Sequence, residues 1–480
     1  MDRVLLEARL RGVSLGALVV TTTLLFWSVT TREAHLRTNV EAYETTADAS
    51  HLFERDSASY RFSNVVAHDV PILRIDDDRR FQTIDGFGAE LTGSSAHLIE
   101  SLPDHGAALI GTLFDRGGLS LSFVRLTVGA SDFSLGSYTY DDVAPGAADP
   151  KLAAFSVARD ADVFTALAAI RAASSDVRFI ASPWTAPAWM KTGDKLFGGG
   201  LRPDAYGAYA NYLVAYVRAL AAHDVPLAVL TPQNEPLLDS NAYPSMTLSA
   251  TEEAAFVGTA LGPALRAAYP ATNIVVNDHN WDGGDYALTV LADARASKYV
   301  TGSAFHCYGG NVSAMSRVHD AHPDRSIYLT ECSGGDWSTN FGSNLAWDTR
   351  NLIIGATVNW ARAVVLGNLA LDAADGPTNG GCADCRGVVT VGGNGTITRN
   401  VEYYVLEHAA RFVRPGAVRI SSSCSLGSEL PNVAFLNTDG SKVLIALNDS
   451  THRATFAVRY RSGSFRFSLP RGAVVTFHWS

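Results

Sequence analysis

Eight apolar runs that alternate with helical patterns predict an α/β fold, a (β/α)8 TIM barrel. The first run begins at Ile84 and the last ends at Leu369. After residue 395 the helical pattern nearly stops, and short strands alternate with turns rich in Gly, Asn, Asp and Ser. Together these observations predict a barrel with an attached β-sandwich domain.

The chain begins with a basic segment followed by an apolar stretch from Val13 to Val29. This order is typical of a signal peptide, and the stretch is also within the length range of a membrane anchor. We assign residues 1–35 to one of these two elements. The folded domains are therefore expected outside the cytoplasm, either secreted or anchored to a membrane.

The remaining chain divides into three predicted parts. Residues 36–80 contain short alternating strands that are predicted to join the β-sandwich. Residues 81–395 form the predicted catalytic barrel, and residues 396–480 form the C-terminal β-sandwich. A helix over 402–413 is the exception in this last part.

The eight barrel runs place their last residues at one end of the predicted barrel. These last residues are Gly88, Val128, Ser182, Thr231, Asp278, His306, Glu331 and Leu369. Helical patterns lie between the runs, for example over 206–220 and over 251–268. Active sites of such barrels lie at the carboxyl ends of the strands, so functional side chains are expected there.

The composition fits a large folded protein. The chain has 480 residues, 47% of them hydrophobic, which is enough for a large core and more than one domain. The formal net charge is −10 and basic residues do not cluster, which argues against nucleic acid as a partner.

Five cysteines are present, and their spacing does not fit a zinc site. Cys382 and Cys385 form either a local disulfide that clamps a loop or two free thiols, and the odd count leaves at least one free thiol. The His, Asp and Glu residues also lack metal-site spacing. We therefore expect neither a metal nor a cofactor.

Two glutamates stand where buried strands end. Glu235 follows the fourth run between Pro232 and Pro236, and Glu331 closes the seventh run. Two such carboxylates at the mouth of a barrel predict the catalytic pair of a glycoside hydrolase. A burial-induced rise in the pKa of Glu235, the predicted acid, is expected.

Charged side chains near the second run have two interpretations each. Arg125 lies inside this run, so it either orients Glu331 or forms a structural salt bridge elsewhere in the barrel. Asp132 follows the run, and its carboxylate either accepts hydrogen bonds from two neighbouring sugar hydroxyls or caps a loop.

Other strand ends carry candidates for sugar binding. Trp184 lies between two prolines after the third run and could form a wall for the sugar or part of the core. Asn234 could bond the 2-hydroxyl of the sugar. His306 and Tyr308 end the sixth run, where His306 either helps to fix the nucleophile or is a structural histidine.

Several motifs resemble glycoside hydrolase family 30, the family of lysosomal glucosylceramidase and its microbial relatives. These motifs are Asp85-Gly-Phe-Gly88, Ser131-Asp-Phe-Ser134, Tyr138-Thr-Tyr-Asp141, Ala181-Ser-Pro-Trp-Thr-Ala-Pro-Ala-Trp-Met-Lys191, Asn234-Glu-Pro236 and Gly302-Ser-Ala-Phe-His306. The resemblance extends from about Phe81 to the C-terminus. It implies a barrel with a β-sandwich, Glu235 as acid/base and Glu331 as nucleophile. It also implies that Asp132, Trp184, Asn234 and His306 line the sugar subsite.

Two segments depart from the lysosomal type. The eighth run has Gly367-Asn368 where the lysosomal enzyme has Trp-Asn, so a sugar-facing aromatic is either missing or supplied by a loop. Residues 381–390 resemble microbial members instead. Both departures weaken the transfer of glucosylceramide, and with it sphingolipid metabolism, to this chain.

The leading hypothesis is a retaining β-glycosidase that hydrolyses β-glucosides by double displacement, of the glucosylceramidase or β-glucosidase type. An endo-β-1,6-glucanase with the same catalytic pair is the alternative, because fold and nucleophile do not separate the two. An inactive carbohydrate-binding protein is the alternative of another class. A β-linked glucoside or glucan is the expected partner in the first two cases.

Overall fold

The computed structural model describes residues 38–64, 69–424 and 429–480. The predicted signal peptide or anchor, residues 1–35, lies outside these ranges. Within them, no helix combines the length and the apolar character that crossing a bilayer requires.

A closed barrel of eight parallel strands forms the centre of the molecule, which confirms the predicted fold class. Numbered one to eight along the chain, the strands are Gly86–Leu91, Phe123–Val128, Arg178–Pro183, Leu227–Leu230, Asn273–Asn280, Val300–His306, Ser326–Glu331 and Ala361–Asn368. Each corresponds to one of the eight apolar runs. The runs were visible in the sequence because parallel strands covered by helices are buried on both faces.

Apolar side chains from strands two to eight fill the inside of the barrel. Phe123, Ile180, Val229, Val275, Ala304, Tyr328, Ala363 and Val365 form this inner cluster. At its amino-terminal end Asp85 accepts hydrogen bonds from Arg362 and Tyr328. The interior of the barrel is therefore packed, and the functional site is expected at the carboxyl ends of the strands, as in other barrels of this type.

Helices surround the barrel. The α-helices are Gly93–Glu100, Ala107–Phe114, Ala161–Ala173, Tyr206–Ala222, Ala250–Phe256, Gly262–Ala268, Gly284–Ala292, Ala314–Ala321, Phe341–Asp348 and Ala356–Val358. The predicted helix over 206–220 is confirmed, with its tyrosines and leucines buried against the strands. The predicted helix over 251–268 forms as well, interrupted by the π-helical turn Val257–Leu261.

The β-sandwich domain combines strands from both ends of the described chain. In spatial order the main path of its large sheet is Glu54–Arg55, Asn39–Thr45, Val474–Trp479, Lys442–Leu447, Asn432–Leu436, Val418–Cys424, Ile72–Thr83, Ala454–Tyr460 and Gly463–Leu469. The short strand Tyr60–Arg61 pairs with Asn39–Thr45. The exact boundaries of the predicted parts stay a prediction.

One helix, Val401–Ala410, connects the two units and lies between them. Its buried His408 contacts Thr45 Oγ1 at 2.8 Å and Thr476 Oγ1 at 2.9 Å, on two neighbouring strands of the large sheet. Burial lowers the pKa of His408 to about 3, so the ring is neutral at physiological pH.

Candidate active site

The two predicted glutamates meet at the carboxyl end of the barrel. Carboxylate oxygens of Glu235 and Glu331 and a ring nitrogen of His306 all lie within 4.8 Å of one another. His306 Nδ1 is 3.2 Å from Glu235 Oε1 and 3.9 Å from Glu331 Oε1. The imidazole therefore stands between the two carboxylates.

The backbone at this point is held in an uncommon conformation. Glu235 has φ 44° and Asp278, at the end of strand five, has φ 42°. The Glu235 amide donates to the Asp278 carbonyl at 2.9 Å, and the Asn234 amide donates to the Pro183 carbonyl at 2.8 Å. Left-handed backbone at non-glycine residues persists only where the surroundings enforce it, and it concentrates at functional sites.

Arg125 is fully buried and connects four side chains. Its Nη1 donates to Glu331 Oε2 at 2.7 Å and to Glu90 Oε1 at 2.8 Å. Its Nη2 donates to Asn234 Oδ1 at 2.7 Å and to Asp278 Oδ2 at 2.9 Å. Arg125 thus bonds Glu331 and also forms salt bridges with Glu90 and Asp278. That it orients Glu331 for catalysis stays a prediction.

Asp278 is the most densely bonded carboxylate beneath the catalytic pair. Besides Arg125, its partners are Ser182 Oγ at 2.6 Å, Thr330 Oγ1 at 2.7 Å, Thr231 Oγ1 at 3.0 Å and His306 Nε2 at 3.2 Å. Burial alone would raise the pKa of Asp278, but the Arg125 charge and the His306 hydrogen bond hold it below its usual range. Asp278 is therefore a permanent anion.

His306 carries a proton on both ring nitrogens. Burial would lower its pKa, but the charge of Glu331 and the hydrogen bonds with Asp278 and Glu235 raise the pKa to about 10. In the imidazolium state both nitrogens are donors. Glu235, His306 and Glu331 are also close enough to one another to hold a metal ion.

The predicted rise in the pKa of Glu235 is wrong. Burial does favour the neutral carboxyl, but the hydrogen bond and positive charge of His306 outweigh it, so the pKa is lowered. The charges of His279 and Arg125 act in the same direction. The sequence showed a strand-end glutamate but not the imidazolium beside it.

Glu331 is fixed through both of its oxygens. Oε2 accepts from Arg125, and Oε1 accepts from the Tyr308 hydroxyl at 3.0 Å. The same hydroxyl lies 3.3 Å from Ser333 Oγ. These bonds leave the carboxylate little rotational freedom. That Glu331 is the nucleophile stays a prediction.

Asp132 lies past strand two, under the loop that follows strand eight. The backbone carbonyl of Asp132 accepts a hydrogen bond from the backbone amide of Asn379 at 2.6 Å. A Cβ added to Gly381 would lie 2.2 Å from the Cβ of Asp132. Burial, then the charges of Glu331 and Glu235, raise the pKa of Asp132 to about 7. The side chain thus belongs electrostatically to the catalytic cluster. That it reads sugar hydroxyls stays a prediction.

Trp184 is only 3% exposed, and the Arg125 guanidinium carbon lies 4.8 Å from its ring centre. The ring therefore packs directly against the arginine that orients Glu331. Its predicted contact with a sugar stays a prediction.

Three residues of the cluster were not predicted. Glu90 ends strand one beside Arg125, and burial raises its pKa to about 8. Asp278 is the last residue of the fifth apolar run, just as Glu331 is the last residue of the seventh. This position is the sequence signal that could have identified Asp278. Tyr243 has its pKa raised by burial and by the charges of Asp132, Glu235 and Glu331, so a loop supplies an aromatic ring near the pair.

The cysteines form two disulfides. Of the two alternatives for Cys382 and Cys385, the structure has the disulfide, and Cys307–Cys332 joins the ends of strands six and seven. Cys424 is a free thiol, in agreement with the odd count.

Comparison with known proteins agrees with this geometry. Residues 84–413 match the glycosyl hydrolase family 30 TIM-barrel domain, and residues 416–477 match the glycosyl hydrolase family 30 beta sandwich domain. The chain belongs to glycosyl hydrolase family 30. It is therefore a glycoside hydrolase, and its family consists of retaining glycosidases. This agrees with the prediction made from the two strand-end glutamates.

Relatives of this chain include endo-1,6-beta-D-glucanases and putative glucosylceramidases. An endo-1,6-beta-D-glucanase of Aspergillus fumigatus is 32% identical over 97% of this chain and 99% of its own length. A putative glucosylceramidase of Caenorhabditis elegans is 31% identical over 85% of this chain and 82% of its own. The solved structure of the endo-beta1,6-glucanase BT3312 superimposes with a TM-score of 0.86 at 32% identity, covering 92% of this chain and 99% of the other.

Proposed function

We propose that this family 30 enzyme hydrolyses β-glucosides by double displacement, with Glu331 as nucleophile and Glu235 as acid/base. The separation of the two carboxylates is the observation that carries the proposal. Their oxygens lie within 4.8 Å of one another. Retaining enzymes place their carboxyl groups about 5–5.5 Å apart, whereas inverting enzymes need roughly 6.5–9.5 Å to admit a water molecule.

In the first step Glu331 attacks the anomeric carbon. A bond forms between that carbon and a Glu331 oxygen, the glycosidic bond breaks, and the leaving oxygen takes the proton of Glu235. Arg125 and Tyr308 hold Glu331 in position for the attack. As the carboxylate loses its charge to the new ester bond, Arg125 keeps its remaining partners Glu90 and Asp278.

In the second step Glu235 acts as the base. It removes a proton from water, the hydroxyl adds to the anomeric carbon, and the bond to Glu331 breaks, which restores both residues. Asn234 uses Oδ1 to accept from Arg125, which leaves its NH2 group to donate to the sugar 2-hydroxyl. That contact strengthens in the transition state.

A trapped intermediate tests the proposal. Incubation with a 2-fluoroglucoside that has a good leaving group should add one fluoroglucosyl unit to the protein, and peptide mapping should place it on Glu331. Glu331→Gln should give no adduct, whereas Glu54→Gln, at an exposed glutamate of the β-sandwich domain, should label as the wild type does. Labelling elsewhere would overturn the assignment.

An endo-acting β-1,6-glucanase is the second candidate function. The observation that favours it is the similarity to endo-1,6-glucanases over nearly the whole chain. Incubation with β-1,6-glucan separates the candidates, because a ladder of oligosaccharides indicates endo action and glucose alone indicates exo action.

Export from the cytoplasm is part of the same proposal. Two disulfides support it, since such bonds persist in oxidising compartments. Mass spectrometry of the N-terminus of the protein from its host, together with its partition between membrane and medium, would distinguish a cleaved signal peptide from a retained anchor.

A further inference from the structure

Two tryptophans are exposed beside the nucleophile. Trp337 follows strand seven and is 57% exposed, and Trp347, on the helix Phe341–Asp348, is 41% exposed. They line a cavity of about 460 Å³ together with Tyr308, Ser333 and Asn344. This volume lies in the range of ligand sites, and large exposed rings are unusual on a surface that serves no contact.

The surroundings hold these rings in place. The Trp337 ring packs on Gly335, where an added Cβ would lie 2.0 Å from ring carbon Cζ3. Asn344 Nδ2 donates to the Ser338 carbonyl at 2.8 Å, which ties the loop of Trp337 to the helix of Trp347. The disulfide Cys307–Cys332 forms part of the cavity wall. A rigid aromatic surface binds with little loss of side-chain entropy.

The cavity is nearly free of charge. Its polar lining consists of serine hydroxyls, the Tyr308 hydroxyl, the Asn344 amide and the carboxyl group of Asp348. Its one ionisable carboxyl apart from the catalytic cluster, Asp348, is buried, and burial followed by the charge of Glu402 raises its pKa well above the usual value. Aromatic faces with neutral hydrogen-bonding groups suit a neutral polyhydroxyl ligand.

The cavity is continuous with the catalytic site through Tyr308, which bonds to Glu331 and also lines the cavity. It opens past strands six and seven, whereas Asp132 follows strand two on the opposite side of the closed barrel. A sugar whose 4- and 6-hydroxyls face Asp132 directs its anomeric carbon, and hence the leaving group, toward strands six and seven.

We propose that the cavity bearing Trp337 and Trp347 binds the leaving-group portion of a β-linked glucan, with the rings stacking on glucosyl units beyond the cleaved bond. The proposal rests on the proposed function and specifies its substrate class. Serine hydroxyls and an amide between the rings favour a sugar chain over the hydrocarbon of a glucosyl lipid, which would leave those groups unpaired.

Paired substrates test the proposal. Specificity constants are measured on an aryl β-glucoside, whose leaving group is a single ring, and on β-1,6-linked glucose tetramer. Trp337→Ala and Trp347→Ala should each lower the ratio of tetramer to aryl-glucoside constants by about tenfold or more, as loss of a buried aromatic anchor does. Trp337→Phe should recover most of this ratio. Val358→Ala, 43% exposed just before strand eight, is the control.

Calorimetry keeps the test independent of the proposed function. Glucose tetramer titrated into Glu331→Gln should bind, and Glu331→Gln with Trp337→Ala should bind about tenfold or more weakly. Equal binding by the two proteins, or an unchanged substrate ratio, would overturn the proposal. If Trp337→Ala and Trp347→Ala lose hydrolysis of a glucosyl lipid but keep hydrolysis of the tetramer, the proposal is also overturned, and the cavity is a lipid site. If the fluorosugar adduct does not form, the proposed function is rejected. The calorimetric titration then still tests whether the cavity binds the glucose tetramer.

Discussion

His306 is a cation that lies close to both Glu235 and Glu331, the proposed catalytic pair, and its charge lowers the pKa of Glu235. Because the pKa of Glu235 is lowered, the acid form is available mainly in acid solution, and kcat/KM should fall as pH rises through that pKa. Removing the positive charge in His306→Gln should raise the pKa of Glu235. The basic limb of the profile should therefore move to higher pH.

Measurement of kcat/KM on an aryl β-glucoside from pH 3 to 9 checks this prediction, because the free-enzyme pKa governs that parameter. His319→Gln, at a histidine stacked on Trp360 away from the carboxylates, is the matched control and should keep the wild-type limb. A His306→Gln enzyme with reduced activity but an unmoved limb would show that His306 acts only through packing.

Asp132 is expected to determine which sugar is accepted. A carboxyl group of Asp132 that hydrogen-bonds to the 4- and 6-hydroxyls of a terminal glucose is left short of one partner by xylose, which lacks the 6-hydroxyl. An aryl β-glucoside should therefore be preferred over the β-xyloside by about 1–3 kcal/mol, or about tenfold to a hundredfold in kcat/KM. Asp132→Ala should remove most of that preference. If the ratio is the same before and after the substitution, Asp132 does not read the sugar.

At the scale of secondary-structure elements, the contact between strands seven and eight explains the missing tryptophan. A Cβ on Gly367 would lie 1.9 Å from Ser333 Oγ, so a larger side chain would require Ser333 to shift. We expect Gly367→Ala to displace Ser333 and the Tyr308 hydroxyl that bonds to it, and to lower kcat about tenfold or more, as small misplacements at catalytic groups do. Adding Ser333→Gly should restore part of the loss. Steady-state kinetics of the two variants and of Ser333→Gly alone would check this, and the absence of rescue would contradict it.

The strands were predictable because they are buried on both faces, and the two glutamates because they end such strands. For Arg125 the sequence offered Glu331 only as one of two alternatives, and it did not indicate Glu90, Asn234 or Asp278, since a sequence does not tell which strand-end side chains face one another. The Cys307–Cys332 bond depends on the adjacency of strands six and seven, which is a property of the closed barrel. The shift of the Glu235 pKa was mispredicted because it depends on the protonation of His306, which three other strands enforce.

At the scale of the whole molecule, His408 makes the junction between barrel and β-sandwich sensitive to acid. Its folded pKa of about 3 lies below the usual value of 6.5, so its contribution to stability is complete above pH 6.5 and declines as pH falls toward 3. Between pH 7 and pH 4 this group should remove roughly 2–4 kcal/mol from the free energy of unfolding. Thermal melting of wild type and His408→Gln at both pH values checks this. The variant should be less stable than wild type at pH 7 but should lose less stability between pH 7 and pH 4. Equal losses of stability in the two proteins would contradict the prediction.

The order of strands in the large sheet has a consequence for biosynthesis. Asn39–Thr45 pairs with Val474–Trp479, and Ile72–Thr83 pairs with Val418–Cys424. During translation the early strands emerge long before their partners exist, and the whole barrel is made in between. Unpaired strand edges are sites of intermolecular pairing, so the nascent chain carries this hazard until its last strand arrives. The finished barrel brings the two groups of strands together, and a ribosome-stalled chain that lacks residues 474–479 should therefore remain protease-sensitive at 39–45 while its barrel is already protected.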